Sequence, residues 1–279
     1  MSTPLKFKLE LDIDVDKFIK VIDGMDQLEI PVHLDDHIYS DLIQHQRLDI
    51  LEFLIDRSDD PLDLFCFCYE DDIEVIKFLI EKYEAYGGSA GEFFIIAVEI
   101  GLGNVMMELY KDRMQEFLEY DNGRVLNMVT AIGDKEYLKL FLIMGARIEI
   151  CLTDPINDAL VSNHMDLIKL LMQNGSDVAA ITADTLCECI KKHNKSAIEF
   201  IETALRETKL EFSSEDLVRC MDTAIECGMN SFCINLFNSG SELSADQIAH
   251  IMDTAKSMSG NEHLVKAFER ILKSYKLPE

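Results

Sequence analysis

Long apolar runs are missing from this chain. None exceeds six positions, as at residues 93–98, whereas a helix needs about twenty apolar residues to cross a bilayer. The opening residues, Met1-Ser2-Thr3-Pro4-Leu5-Lys6, contain no apolar segment of signal-peptide type, so a soluble, cytoplasmic protein is expected. Proline occurs five times in 279 residues, and no Pro/Gly/Ser-rich linker interrupts the chain, which predicts one elongated body rather than separate domains. Positive charge is scarce as well. Twenty-six Lys and Arg face 52 Asp and Glu, a net charge of −26 and a pI near 4.5. Such a field repels nucleic-acid phosphates and anionic membranes and speeds encounter with basic partners. Neither direct nucleic-acid binding nor membrane binding is expected.

Catalytic and metal-binding signatures are also missing. There is no phosphate loop, no nucleophile elbow and no His-Glu-x-x-His. Gly101-Leu102-Gly103 begins like a dinucleotide fingerprint but lacks the third glycine. The eight cysteines include no Cys-x-x-Cys. Cys66/Cys68 and Cys187/Cys189 are spaced i, i+2, which on a helix sends the sulfurs to opposite sides, so reduced thiols acting as small apolar residues are expected. Asp12, Asp14, Asp16 and Asp23 imitate a calcium loop, but Lys17 replaces its turn glycine and Asp23 its bidentate glutamate. No enzyme, cofactor or metal is expected.

What the chain does contain is a repeat. Gly145 and Gly175 each follow an apolar helical string, and the residues at the turn inside each unit are Asp71, Gly101, Gly133, Asn163, His193, Gly228 and Gly260, at steps of 30, 32, 30, 30, 35 and 32. Just beyond each turn comes an apolar pair: Val75-Ile76, Val105-Met106, Tyr137-Leu138, Leu167-Ile168, Ala197-Ile198, Phe232-Cys233 and Leu264-Val265. An earlier unit, with Gln46 at its turn and Ile50-Leu51 beyond, precedes Asp71 by only 25 residues. Fixed-period similarity of this kind predicts stacked units, none of which buries its apolar face alone. Capping chemistry agrees. Asp154 precedes Pro155 at a helix start, Ser89/Glu92 and Ser244/Gln247 have capping-box spacing, and Gly145, Gly175 and Gly240 follow apolar helical runs.

The stretch 153–178 resembles an ankyrin repeat. Pro155-Ile156-Asn157 stands where that family has Pro-Leu-His, Asn163-His164 where it has Gly-His, and Gly175-Ser176-Asp177-Val178 where it has Gly-Ala-Asp-Val. Weaker copies extend from about residue 36 to residue 275. No unit carries the full Thr-Pro-Leu-His tetrad, so other two-helix solenoids stay open. The resemblance implies an all-α helical-repeat solenoid of about seven to eight units over residues 35–279, acting as a protein-binding scaffold. Residues 1–34 do not fit the repeat. Residues 5–16 alternate strictly, as do Leu28, Ile30, Val32 and Leu34, and a helical turn is expected between them at residues 18–22. This predicts a small β-containing cap, or else a strand that pairs with another chain through residues 5–16.

Two features mark a partner surface. Between Asp56 and Glu74, eight acidic residues, among them Asp59, Asp60, Asp63 and Glu70, face only Arg57. The resemblance also places the two positions before each turn on the concave side; here they include Tyr69-Glu70, Glu99-Ile100, Ala131-Ile132 and Val161-Ser162. Ile100, Ile132 and Val161 are expected to form an apolar stripe flanked by acid, a groove for a basic, amphipathic segment of a partner protein. The reading is an adaptor or inhibitor that binds through Asp59, Asp60, Asp63, Tyr69, Glu70, Glu99, Ile100, Ala131, Ile132 and Val161. The alternative is an acidic nucleic-acid mimic that blocks a DNA- or RNA-binding protein.

Overall fold

The computed structural model describes residues 14–27, 36–57, 60–207, 209–238, 243–258 and 260–275. Among them the structure is helical, with no strand. Packing divides the chain into two compact units, Met1–Asp121 and Asn122–Glu279.

The first unit contains α1 (Val15–Gln27), α2 (Asp36–Gln44), α3 (Leu48–Arg57), α4 (Pro61–Phe65), α5 (Ile73–Ala85), α6 (Ala90–Glu99) and α7 (Gly103–Leu109). Within it α1 packs on α3, α2 on α3, α4 on α5, α5 on α6, α6 on α7, and α4 on α6. The helix α8 (Met114–Ile132) starts here and ends in the second unit. Three consecutive left-handed residues interrupt it, Asp121 (φ 47°), Asn122 (φ 55°) and Gly123 (φ 69°). A right-handed helix does not pass through three such residues unbroken, and the units divide at this point.

The second unit continues with α9 (Lys135–Ile143), α10 (Ile156–Val161), α11 (Met165–Gln173), α12 (Ala183–Lys191), α13 (Lys195–Arg206), α14 (Ser214–Glu226), α15 (Asn230–Asn238), α16 (Ala245–Ser257) and α17 (Glu262–Tyr275). The contacts follow a repeat: α10 packs on α11 and α12, α12 on α13 and α14, α14 on α15 and α16, and α16 on α17. Each pair thus covers the apolar face of its neighbour, as a chain of non-autonomous units requires.

The turn register holds at six of seven positions. Gly101, Gly133, Asn163, His193, Gly228 and Gly260 all have positive φ, as does Gln46. Each of five of these donates its amide three residues back while the next residue donates five back: Gly101 to Val98 and Leu102 to Ala97, Gly133 to Thr130 and Asp134 to Val129, Asn163 to Leu160 and His164 to Ala159, His193 to Ile190 and Asn194 to Cys189, Gly228 to Ile225 and Met229 to Ala224. Such turns satisfy the last carbonyls of a helix and reverse the chain in few residues. Asp71 is the exception, because its turn is closed by a side chain and contains no left-handed residue. Of the apolar pairs beyond the turns, Val75, Ile76, Met106, Leu138, Leu167, Ile168, Ala197, Ile198, Phe232, Cys233 and Leu264 are buried, while Val105, Tyr137 and Val265 are half-buried.

Polar ties also follow the repeat. In the first unit Lys82 pairs with Glu52, and the Tyr86 hydroxyl donates to Asp56 at 2.5 Å. In the second, buried Asn157 ties its own helix pair to the next. Its Nδ2 donates to the Asp154 and Ala180 carbonyls (3.0 and 3.1 Å), and its Oδ1 accepts from Thr182 N and Thr185 Oγ1 (3.1 and 2.7 Å). Asp154 caps α10 by accepting from Ile156 N at 3.0 Å, and its other bonds reach Ser176 Oγ (2.6 Å) and Asp177 N (3.3 Å). At Ser244 the capping box forms as expected, with Gln247 N donating to Oγ and Ser244 N donating to Gln247 Oε1. At Ser89 the box does not close: the hydroxyl accepts from Gly91 N at 3.1 Å, while Glu92 accepts from the Tyr83 hydroxyl instead.

The N-terminal expectation needs correction where it can be compared. Residues 5–13 and 28–35, which carry most of the alternation, lie outside the described residues. Asp14 to Asp16 do not form a strand. The Asp14 carboxylate accepts from Asp16 N and Lys17 N (3.0 and 3.3 Å), α1 begins at Val15, and Phe18 and Ile22, one turn apart, are fully buried. The aspartate that fitted the alternation is a helix cap, and capping together with an i, i+4 apolar pair outweighs a period of two. Gly240 also lies outside the described residues.

Candidate docking cleft

In the first unit the chain leaves α4 through a tightening turn: Cys66 N donates to Asp63 O, Phe67 N to Leu64 O and Cys68 N to Phe65 O. The next turn is locked by Asp72, whose buried carboxylate accepts from Tyr69 N at 2.7 Å, while Asp72 N returns a bond to Tyr69 O at 3.1 Å. This fixes the backbone of Tyr69 and leaves its ring in solvent, 58% exposed. One helix pair further on, Ile100 ends α6 directly before left-handed Gly101. The turn there folds Leu102 inward and leaves Ile100 40% exposed.

A cleft of about 410 Å³ lies between these two turns, with Cys66, Tyr69, Glu70, Ile100 and Leu102 in its wall. A second, of about 450 Å³, is lined by Gln44, Tyr69, Asp71 and Asp72. Tyr69 therefore borders both clefts, and among the described residues no lysine or arginine lines either of them. Burial pushes the Cys66 thiol up from its ordinary pKa, and the charges of Asp63 and Glu99 push it the same way.

The residues named from the sequence are thus distributed unevenly. Tyr69, Glu70 and Ile100 meet at one cleft, and Asp63 and Glu99 act on its Cys66. Asp60 lies at the other end of α4, where it caps the helix by accepting from Leu62 N at 2.9 Å. Asp59 lies outside the described residues. Ala131, Ile132 and Val161 belong to the second unit. There Ile132 is 52% exposed and Val161 half-buried. The Ala131 carbonyl lies 3.1 Å from His164 Nε2, and the Val161 carbonyl accepts from Asn194 Nδ2 at 2.8 Å. Their backbones are already used to tie successive turns together.

Sequence reasoning missed Gln44, Cys66 and Leu102 as members of the clefts, and took Asp72 only as one carboxylate of the acidic run. For Asp72 a signal was present: an aspartate three residues after Tyr69 can accept that residue's amide and fix the loop. Also missed was the contact between Cys187 and Cys220, whose sulfurs lie 3.6 Å apart between α12 and α14. The bond to Cys187 and burial together raise the Cys220 pKa far above that of an ordinary thiol, so its proton is held. No protein-family model, curated protein or solved structure matches the chain.

Proposed function

We propose that this chain is a non-enzymatic protein-binding module, an ankyrin-like adaptor or inhibitor in the cytoplasm, that holds a basic partner protein through an acidic surface centred on the Tyr69 cleft. One observation carries the reading: an exposed aromatic and an exposed aliphatic side chain, Tyr69 and Ile100, border a cleft whose one charged lining residue among those described, Glu70, is acidic. Contiguous exposed apolar patches rimmed by polar residues mark interaction surfaces. A net charge of −26 selects basic partners and speeds their approach. The ankyrin-like part of the reading rests on the regular left-handed turns, on the stacked helix pairs of the second unit and on the Gly175-Ser176-Asp177-Val178 element.

The test is affinity capture from cell lysate on the full-length protein, run in parallel with Ile100→Asp and eluted along a salt gradient. A basic protein retained into high salt by the wild type and lost by the folded variant supports the reading. If Ile100→Asp retains the same protein equally well, the cleft is not the docking site. A DNA- or RNA-binding protein released early in the gradient from both would favour charge mimicry, since exposed charge pairs are screened by salt and apolar contact is not.

A further inference from the structure

The cleft has a chemistry more specific than negative charge, and assigning it a bound group rests on its being the docking site proposed above. Its ridge is an aromatic ring that makes no hydrogen bond through its hydroxyl to any described residue, and its backbone is fixed by Asp72. Its wall is apolar at Ile100 and Leu102, and among the described residues that line it the charge comes from Glu70. A ring face, an apolar wall and a carboxylate within one small cleft match the three parts of an arginine side chain. The planar guanidinium stacks on an aromatic face, its N–H fork pairs with a carboxylate, and its weak hydration lets it leave water for a partly apolar site. A lysine ammonium offers only a strongly hydrated point charge, which gains less from the ring and the wall. We propose that the Tyr69 cleft takes an arginine side chain from the partner protein, with the guanidinium stacked on Tyr69 and paired with Glu70.

The experiment uses the full-length protein carrying ¹³C-labelled isoleucine methyls and tyrosine rings, titrated at constant ionic strength with N-acetyl-arginine amide, N-acetyl-lysine amide and N-acetyl-citrulline amide. The expected result is saturable shifts at the Ile100 methyl and the Tyr69 ring with the arginine probe, weaker binding of lysine and none of citrulline. Tyr69→Ala should weaken arginine binding by roughly two- to fivefold, the fold-change of an exposed cation–π contact, while Tyr69→Phe keeps it. Tyr69 is exposed, so both variants should fold, and circular dichroism verifies that they do. Equal affinity for lysine and arginine overturns the arginine assignment and leaves the basic-partner reading in place. Silence at Ile100 and Tyr69 with every probe, while captured partner still depends on Ile100, overturns the arginine anchor alone. Silence together with capture indifferent to Ile100→Asp overturns both.

Discussion

The imidazole of His164 occupies the space that a side chain on Gly133 would need, and its Nε2 lies 3.1 Å from the carbonyl of Ala131. Gly133 is left-handed (φ 86°) at the turn inside one helix pair, and His164 opens the second helix of the next. Gly133→Ala should therefore cost twice: about 1–2 kcal/mol for the left-handed backbone and about 0.5–1.5 kcal/mol for the displaced hydrogen bond. Gly228, also left-handed, has open space where its Cβ would go, so Gly228→Ala should carry only the first cost. Thermal unfolding of both variants checks the difference. Equal losses would mean that the His164 tie contributes nothing.

Asn157 makes four hydrogen bonds while 8% exposed. Replacing it with Leu leaves the Thr182 amide, the Thr185 hydroxyl and the Ala180 carbonyl without that partner, at about 1–3 kcal/mol for each group that water cannot reach. Denaturant unfolding should show one of the largest losses of any single substitution in the second unit, well beyond that of exposed Asn174→Leu.

Burial raises the Asp158 pKa, the bond from Asn127 Nδ2 (2.5 Å) opposes that shift, and the charge of Asp154 adds to it. Because the folded value lies above the unfolded one, the folded chain holds this proton more tightly. The resulting stability is present below the ordinary carboxylate range and is lost as pH rises through the folded value. Asp158→Asn keeps an acceptor for Asn127 and removes the titration. Its melting temperature relative to wild type should rise between about pH 4 and pH 7; a constant difference would contradict the assignment.

Cys66 is exposed, whereas Cys68, Cys187, Cys189, Cys220 and Cys233 are buried. Iodoacetamide should modify Cys66 ahead of these five. The thiolate is the nucleophile and its pKa is raised, so the rate should keep climbing above about pH 8.5, where an unperturbed thiol is half ionised. A bound partner covering the Tyr69 cleft should slow this reaction, as peptide mass analysis would show.

The turn register was legible in the sequence because a left-handed residue restricts what can stand there. Gly101, Gly133, Gly228 and Gly260, with Asn163 and His193, occupy the positions that spacing indicated. Where a side chain closed the turn instead, as Asp72 does behind Asp71, spacing misled. The break at Asp121-Asn122-Gly123 was not read, because an apolar helical pattern continues on either side of it. The cleft was half legible. Counting back two positions from each turn found Tyr69, Glu70 and Ile100, but the acid run that drew attention to Asp60 says nothing of the helix cap it became. Composition shows how much charge there is, and only the fold shows which carboxylates are already in use.

The central claim, that a partner docks at the Tyr69 cleft, is tested most directly by hydrogen–deuterium exchange of the full-length protein with and without its captured partner. The account predicts slowed exchange confined to residues 66–72 and 99–102, and its loss in Ile100→Asp. Protection elsewhere, with those two turns unchanged, would contradict it.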